Sequence, residues 1–217
     1  MSPRRSPPRL ERPSAKRDPK KRILVICEGV VTEVQYFNGV KDHFRAVPVE
    51  VGHCDVDGCG KDPLSVVREA IRRRDKARSA ARRHRDAFLA YDEIWAVVDV
   101  DDHASLDEAI RVARDDGINL VISRPCFEIW LLWHYQDCPA ALTAKEIQRK
   151  LATKLPNYDK HLSATFPYHD YLRAERRAKS ADPDHSAPNR KGRNPSTNVW
   201  LVVNGIAQSG KREPVGI

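Results

Sequence analysis

The sequence predicts an α/β fold: a mostly parallel sheet flanked by helices, with a helical C-terminal part. Three observations carry this. Between Ile23 and Ser123, four short runs of branched apolar residues alternate with stretches of helical apolar spacing. The third run, Glu93–Val100 (EIWAVVDV), is apolar on both faces, as a central strand of a parallel sheet must be. Beyond Pro125 the apolar residues recur at helical spacing.

Taken in order, residues 1–20 hold Pro3, Pro7, Pro8, Pro13 and Pro19 among Ser and Arg, with almost nothing to bury. They are expected to be a disordered basic tail. Ile23–Cys27 is too short for a helix and rich in branched side chains, so it reads as a buried strand. Glu28-Gly29 interrupts it. Val31, Val34, Phe37 and Val40 then mark a helix to about Phe44. Val47–Cys54 (VPVEVGHC) alternates as a second strand, and Asp55–Pro63 (DVDGCGKDP) is a loop.

Leu64–Arg85 is a long arginine-rich helix, packing through Val66, Val67, Ala70, Ile71, Ala77 and Ala81. Most of its arginines are expected in solvent, either as an ordinary exposed face or as a phosphate-contacting ridge. Glu93–Val100 follows as the third strand. Ser105, with Glu108 three residues on, predicts a capping box, and its helix is expected to end at Gly117. Ile118–Ser123 is the fourth strand. Phe127–Tyr135 (FEIWLLWHY) is an apolar helix carrying one acid, Glu128. Further helices are expected over Thr143–Leu155, Tyr168–Ala181 and Ser196–Gly205, the last capped by Ser196 or Thr197, with residues 207–217 frayed. Residues 21–206 then form one domain.

The formal net charge is +8, but residues 1–22 hold nine Arg or Lys against Glu11 and Asp18, a net of +7. The tail is basic and the folded part is close to neutral, so charge alone does not identify a nucleic-acid binder. Five cysteines without a CxxC pair favour reduced thiols over a disulfide framework or a zinc site. No apolar run is long enough to span a bilayer and no signal-peptide core is visible, so a cytoplasmic location is expected.

Right-handed crossovers place the carboxyl ends of all parallel strands on one edge. Glu28 follows the first strand, and Asp99 and Asp101 end the third, so they can meet in space. Asp99 and Asp101, two apart on extended chain, project to the same side. Converging carboxylates repel one another, and a hard divalent ion such as Mg²⁺ resolves the conflict. A capped turn is the plainer explanation of a lone DxD. Glu33, on the first turns of the following helix, has the helix dipole as its plainer explanation. Glu128, set between Phe127 and Ile129, is the better ligand candidate of the two.

Other motifs are absent. The loop around Gly58, Gly60 and Lys61 lacks the Walker A pattern, although Lys61 is one cation available to a phosphate. There is no GxGxxG and no HExxH. His103 follows the acidic run and could assist proton transfer, with a surface-turn histidine as the plainer reading. Trp130 and Trp133 are at helical spacing and are expected in the core.

Five stretches in order, CEGVVTEVQYF, GCGKDP, WAVVDVDDH, RPCFEIWLLWHY and NPSTNVWLVV, resemble the RloB-like family over about Ile23–Ile206. The resemblance implies a variant of the TOPRIM fold, a Mg²⁺- or Mn²⁺-dependent endonuclease of phage defence, and a companion ABC-type ATPase of the RloA or AbiL type. Carried over by position, Glu28 would be metal ligand and general acid or base, and Asp99 and Asp101 the metal ligands. Glu128 would complete the shell, with Glu33 and Asp102 as weaker candidates. Lys61, Arg72, Arg73 and Arg82 are the candidates for holding the backbone of DNA or tRNA. A non-catalytic or latent effector subunit, regulated by the ATPase, is the alternative.

Overall fold

A computed structural model of the chain describes residues 20–54, 62–100, 105–156 and 158–210. The predicted tail up to residue 19, Lys61, Asp101, Asp102, His103 and residues 211–217 lie outside the described residues. The elements are β1 (Ile23–Cys27), α1 (Thr32–Phe44), β2 (Val49–His53), α2 (Pro63–His84), β3 (Glu93–Asp99), α3 (Leu106–Asp115) and β4 (Asn119–Arg124). They continue with α4 (Glu128–Trp133), α5 (Ala144–Ala152), α6 (Tyr171–Ala181), β5 (Ser196–Thr197) and α7 (Trp200–Ser209).

The strand order is β2-β1-β3-β4-β5, with the first four parallel and β5 antiparallel. Side chains alternate between the two faces. Ile23, Val25, Cys27, Trp95, Val97 and Val121 pack with α1, α4 and the C-terminal helices. Leu24, Ile26, Ala96, Val98, Leu120 and Ile122 pack under α2 and α3. The chain therefore leaves β1 toward β2 over one face and returns toward β3 and β4 over the other. Trp130 and Trp133 are fully buried in the first core. Enclosing a large apolar side chain in this way contributes on the order of 2–3 kcal/mol.

Several elements differ from expectation. Ser105 precedes α3 but makes no side-chain cap. Its hydroxyl instead donates to Asp62, which caps α2 by accepting the Ser65 N–H at 3.1 Å. Asp62-Pro63 supplies both the cap and a proline at the first helical position. Ser196 and Thr197 are not a helix cap. They form β5 beside β4, where the Thr197 and Ser123 hydroxyls are 2.9 Å apart. The last helix starts four residues later and runs to Ser209, so residues 207–209 are helical. Tyr168–Asp170 is a 3-10 turn leading into α6.

The edge of β4 is closed by asparagines. Asn198 Oδ1 accepts the Ile122 N–H and Asn198 Nδ2 donates to the Ala187 carbonyl, both at 2.8 Å. Asn189 Oδ1 accepts the Leu120 N–H at 2.8 Å. In α2, nothing beyond Arg74 is buried. Arg74 is itself an exception to a solvated row, being buried and paired with Asp75 at 2.8 Å and Asp116 at 3.0 Å.

Candidate functional site

The path of the chain makes the gap between β1 and β3 the point where crossovers change direction. In open α/β sheets, sites form at the carboxyl ends of the strands beside such a point. The Glu28 N–H donates to the Val97 carbonyl at 3.0 Å, which continues the ladder one residue past β1. Glu28 Oε2 then accepts the Asp99 N–H at 3.1 Å. The two acids are held across the gap by a backbone contact.

Asp99 has the strand parity of Trp95 and Val97, which face α1 and α4. Its carboxylate faces the backbone N–H of Phe127 at the start of α4, which favours the charged form. Burial pushes the Asp99 carboxyl well above the usual carboxylate range, and the charges of Glu33, Glu128 and Glu28 push it further, in that order.

Glu33 folds back over the turn before α1. Its carboxylate lies where a Cβ on Gly29 would be 2.1 Å from Oε2, and the backbone N–H groups of Glu33 and Gly29 favour its charged form. Burial raises its carboxyl. Glu128 adds to the rise, and Lys160 opposes it. Glu128 is 7% exposed. Its Oε1 accepts from Gln148 Nε2 at 3.2 Å and the Tyr158 hydroxyl at 3.3 Å. Glu28, Glu33, Asp99 and Glu128 line one cavity of about 420 Å³, together with Thr32 and Lys160. The Thr32 hydroxyl donates to the Lys160 carbonyl at 2.8 Å, tying that loop to α1.

The donor set is all oxygen, which suits a hard cation. Among the described residues, no three acidic, His or Cys side chains are gathered at ligand spacing. Mg²⁺ tolerates this, because it keeps several waters and commonly takes only one or two carboxylates. Asp99, held against its own desolvation and three neighbouring acids, is the group a cation would relieve most. Glu28, Glu33 and Glu128 are the other residues able to hold it.

Arg72, Arg73 and Arg82 do not line this cavity. They lie on α2, which covers the opposite face of the sheet from α1 and α4. Arg72 and Arg73 both donate to the buried Glu69, at 2.6 and 2.7 Å, an intrahelical pairing at i+3 and i+4. Arg82 is exposed on the last turns of the helix. Conversely, Thr32, Gln148, Tyr158 and Lys160 enter the site without a sequence signal. Gln148 and Lys160 look like ordinary surface residues until the tertiary fold brings α5 and the following loop over Glu128.

Among the described residues no helix is long and apolar enough to cross a membrane. No curated protein and no solved structure matches the chain. A family model described as RloB-like protein matches residues 23–206.

Proposed function

The chain belongs to the RloB-like family, and on that premise we propose that it is a divalent-metal-dependent endonuclease hydrolysing phosphodiester bonds of DNA or RNA. The observation that carries this is the convergence of Glu28, Glu33, Asp99 and Glu128 in one cavity at the carboxyl edge of the sheet. Four carboxylates from three separate segments are a costly arrangement for structure alone. A phosphodiester brings further negative charge, so the substrate class also calls for a cation in this cleft.

When bound, Mg²⁺ or Mn²⁺ supplies charge neutralisation at the phosphate and a water of lowered pKa. The remaining work falls to the chain. Asp99 and Glu128 would hold the cation, with Glu33 as a further oxygen donor; Asp101 and Asp102, which follow Asp99 in the sequence, lie outside the described residues. Glu28 orients or deprotonates the attacking water, or returns a proton to the leaving oxygen. Lys160, which lines the cavity, would meet a phosphate oxygen in this reading. The RloB-like resemblance extends this reading to a phage-defence effector in the cytoplasm, working with an RloA- or AbiL-type ATPase.

A second reading, a latent effector, is favoured by one feature. Glu28 accepts the Asp99 N–H, and Glu128 accepts from Gln148 and Tyr158, so the protein's own donors occupy part of the oxygen set that a cation would use. In that case the partner must release the acids before cleavage begins. The test is a nicking assay on supercoiled DNA and on total tRNA, with Mg²⁺, Mn²⁺ or EDTA and with Glu28→Ala alongside. Metal-dependent cutting lost in the variant supports the nuclease. No cutting alone, but cutting with the ATPase, supports the latent form. No cutting in either setting sinks both.

A further inference from the structure

Tyr158 separates two cavities. On one side its hydroxyl donates to Glu128 Oε1 at 3.3 Å, in the acidic cleft. On the other it lines a second cavity of about 320 Å³ with Tyr135, His161, Lys154, Ser163 and Thr165. Tyr135 is set by an edge-on contact with Phe166, ring centroids 6.0 Å apart. The Ser163 and Thr165 hydroxyls are 2.8 Å apart, and Ser163 Oγ also accepts the Thr165 N–H at 3.2 Å. His161 and Lys154 are exposed at the rim.

Each part suits a different part of a nucleotide. Aromatic residues offer stacking surfaces to a base whatever its identity. The paired hydroxyls keep one O–H donor and acceptor lone pairs for its edge. A lysine at the rim suits a phosphate. The volume is at the low end of small-ligand pockets, roughly 300–1,000 Å³, and too small for a stacked pair of strands. We propose that this cavity captures one unpaired base of a single-stranded nucleic acid while the neighbouring phosphate lies in the acidic cleft. This rests on the nuclease reading, and it names the substrate class as unpaired strand rather than duplex. A base inside a duplex reaches such a pocket only by leaving the stack, at a cost of a few kcal/mol.

The experiment uses the full chain with Ca²⁺ in place of Mg²⁺, to separate binding from cleavage. The probes are a single-stranded oligonucleotide carrying 2-aminopurine and the same sequence as a duplex. Capture predicts that 2-aminopurine fluorescence is quenched on binding, and that the single strand binds at least tenfold more tightly than the duplex. Tyr135→Leu and Tyr158→Leu should each weaken single-strand binding about tenfold and remove the quenching. Tyr158→Phe and Tyr158→Trp keep a ring and should retain both, which preserves the test if a leucine variant melts early. Unquenched fluorescence, equal affinity for the two probes, or folded leucine variants that bind normally would overturn the proposal. Cleavage in Mg²⁺ without base capture overturns this pocket and leaves the nuclease standing. Base capture without cleavage in any metal does the reverse.

Discussion

Glu28 Oε2 accepts the backbone N–H of Asp99 at 3.1 Å, so the acid after one strand is anchored on the acid ending its neighbour. This contact uses the main chain of Asp99 and leaves its carboxylate to α1 and α4. The two groups are therefore separable. Glu28→Gln keeps an oxygen for the Asp99 amide and removes the charge. The expected result is an unchanged melting temperature with metal-dependent cleavage reduced at least about 100-fold. Glu28→Ala also loses the hydrogen bond and should be about 1 kcal/mol less stable. Full activity in the glutamine variant would remove Glu28 from the chemistry.

Asp99 makes a separate prediction about the metal-free protein. Its carboxyl is raised, so the native state holds the proton more tightly than the unfolded chain does. Stability is then lost as pH rises above the ordinary carboxylate range. Asp99→Asn removes that penalty. Its melting temperature without metal should exceed that of the parent at pH 8. The difference should shrink toward pH 4. Added Mg²⁺ should raise the parent's melting temperature and leave the variant's unchanged. A destabilised variant at pH 8 would mean that Asp99 serves the fold, not a cation.

Gly29 tests how tightly Glu33 is placed. A Cβ there would sit 2.1 Å from Glu33 Oε2, so Gly29→Ala must move the carboxylate. If Glu33 contributes to the cation, Mg²⁺ affinity measured by calorimetry falls several-fold while Glu28 and Asp99 stay in place. Unaltered affinity would assign Glu33 to capping the turn before α1 and to nothing else.

How far the site could be read from the chain depends on where each residue lies. Glu28 and Asp99 interrupt or end apolar runs, and an acid at such a boundary is visible without a structure. Glu128 is visible as the one charge in an apolar helix. Glu69 beside Arg72 and Arg73 is also legible, because i+3 and i+4 spacing puts both guanidiniums over one carboxylate. Their pairing weakens the case for those two arginines as a phosphate ridge. Lys160 and Tyr158 could not be read, since their place depends on a loop folding over α4. β5 has two residues, too few for any periodicity, and its hydroxyls imitate a helix cap. Ser105 fits a capping box by spacing, yet Asp62 competes for its hydroxyl across the loop.

Asn198 tests the closing of the sheet. It is fully buried and bonds the Ile122 N–H and the Ala187 carbonyl at once. Asn198→Leu leaves both without that partner. Leaving a buried polar group unsatisfied costs about 1–3 kcal/mol. The midpoint of urea unfolding should fall accordingly with an unchanged slope. A midpoint equal to the parent's would show that β4 does not depend on the segment beside it.

His134 sets the acid limit of the fold. It is fully enclosed between α1, α4 and Phe166, with Nδ1 3.0 Å from the Trp130 carbonyl and Nε2 3.4 Å from the Tyr36 hydroxyl. A neutral ring that donates from Nδ1 and accepts at Nε2 satisfies both. Burial pushes its pKa down from 6.5 to about 3, with Arg177 and His169 adding to the fall and the Trp130 carbonyl opposing it. Between those values the unfolded chain binds a proton that the native state excludes. Stability therefore rises with pH across this window and is lost on acidification below about 6.5. The loss from this group approaches about 1.4 kcal/mol per pH unit. Urea unfolding between about pH 6.5 and 5, compared in the parent and in His134→Gln, separates its share from that of His185, also lowered by burial, and from those of the raised Glu33 and Asp99, which act with the opposite sign. His134→Gln should be less stable at neutral pH, because the ring packing is lost, and should show a flatter pH profile. If the parent and His134→Gln lose stability equally across that interval, the histidine is not excluded from protonation and the core around Tyr36 must open to solvent.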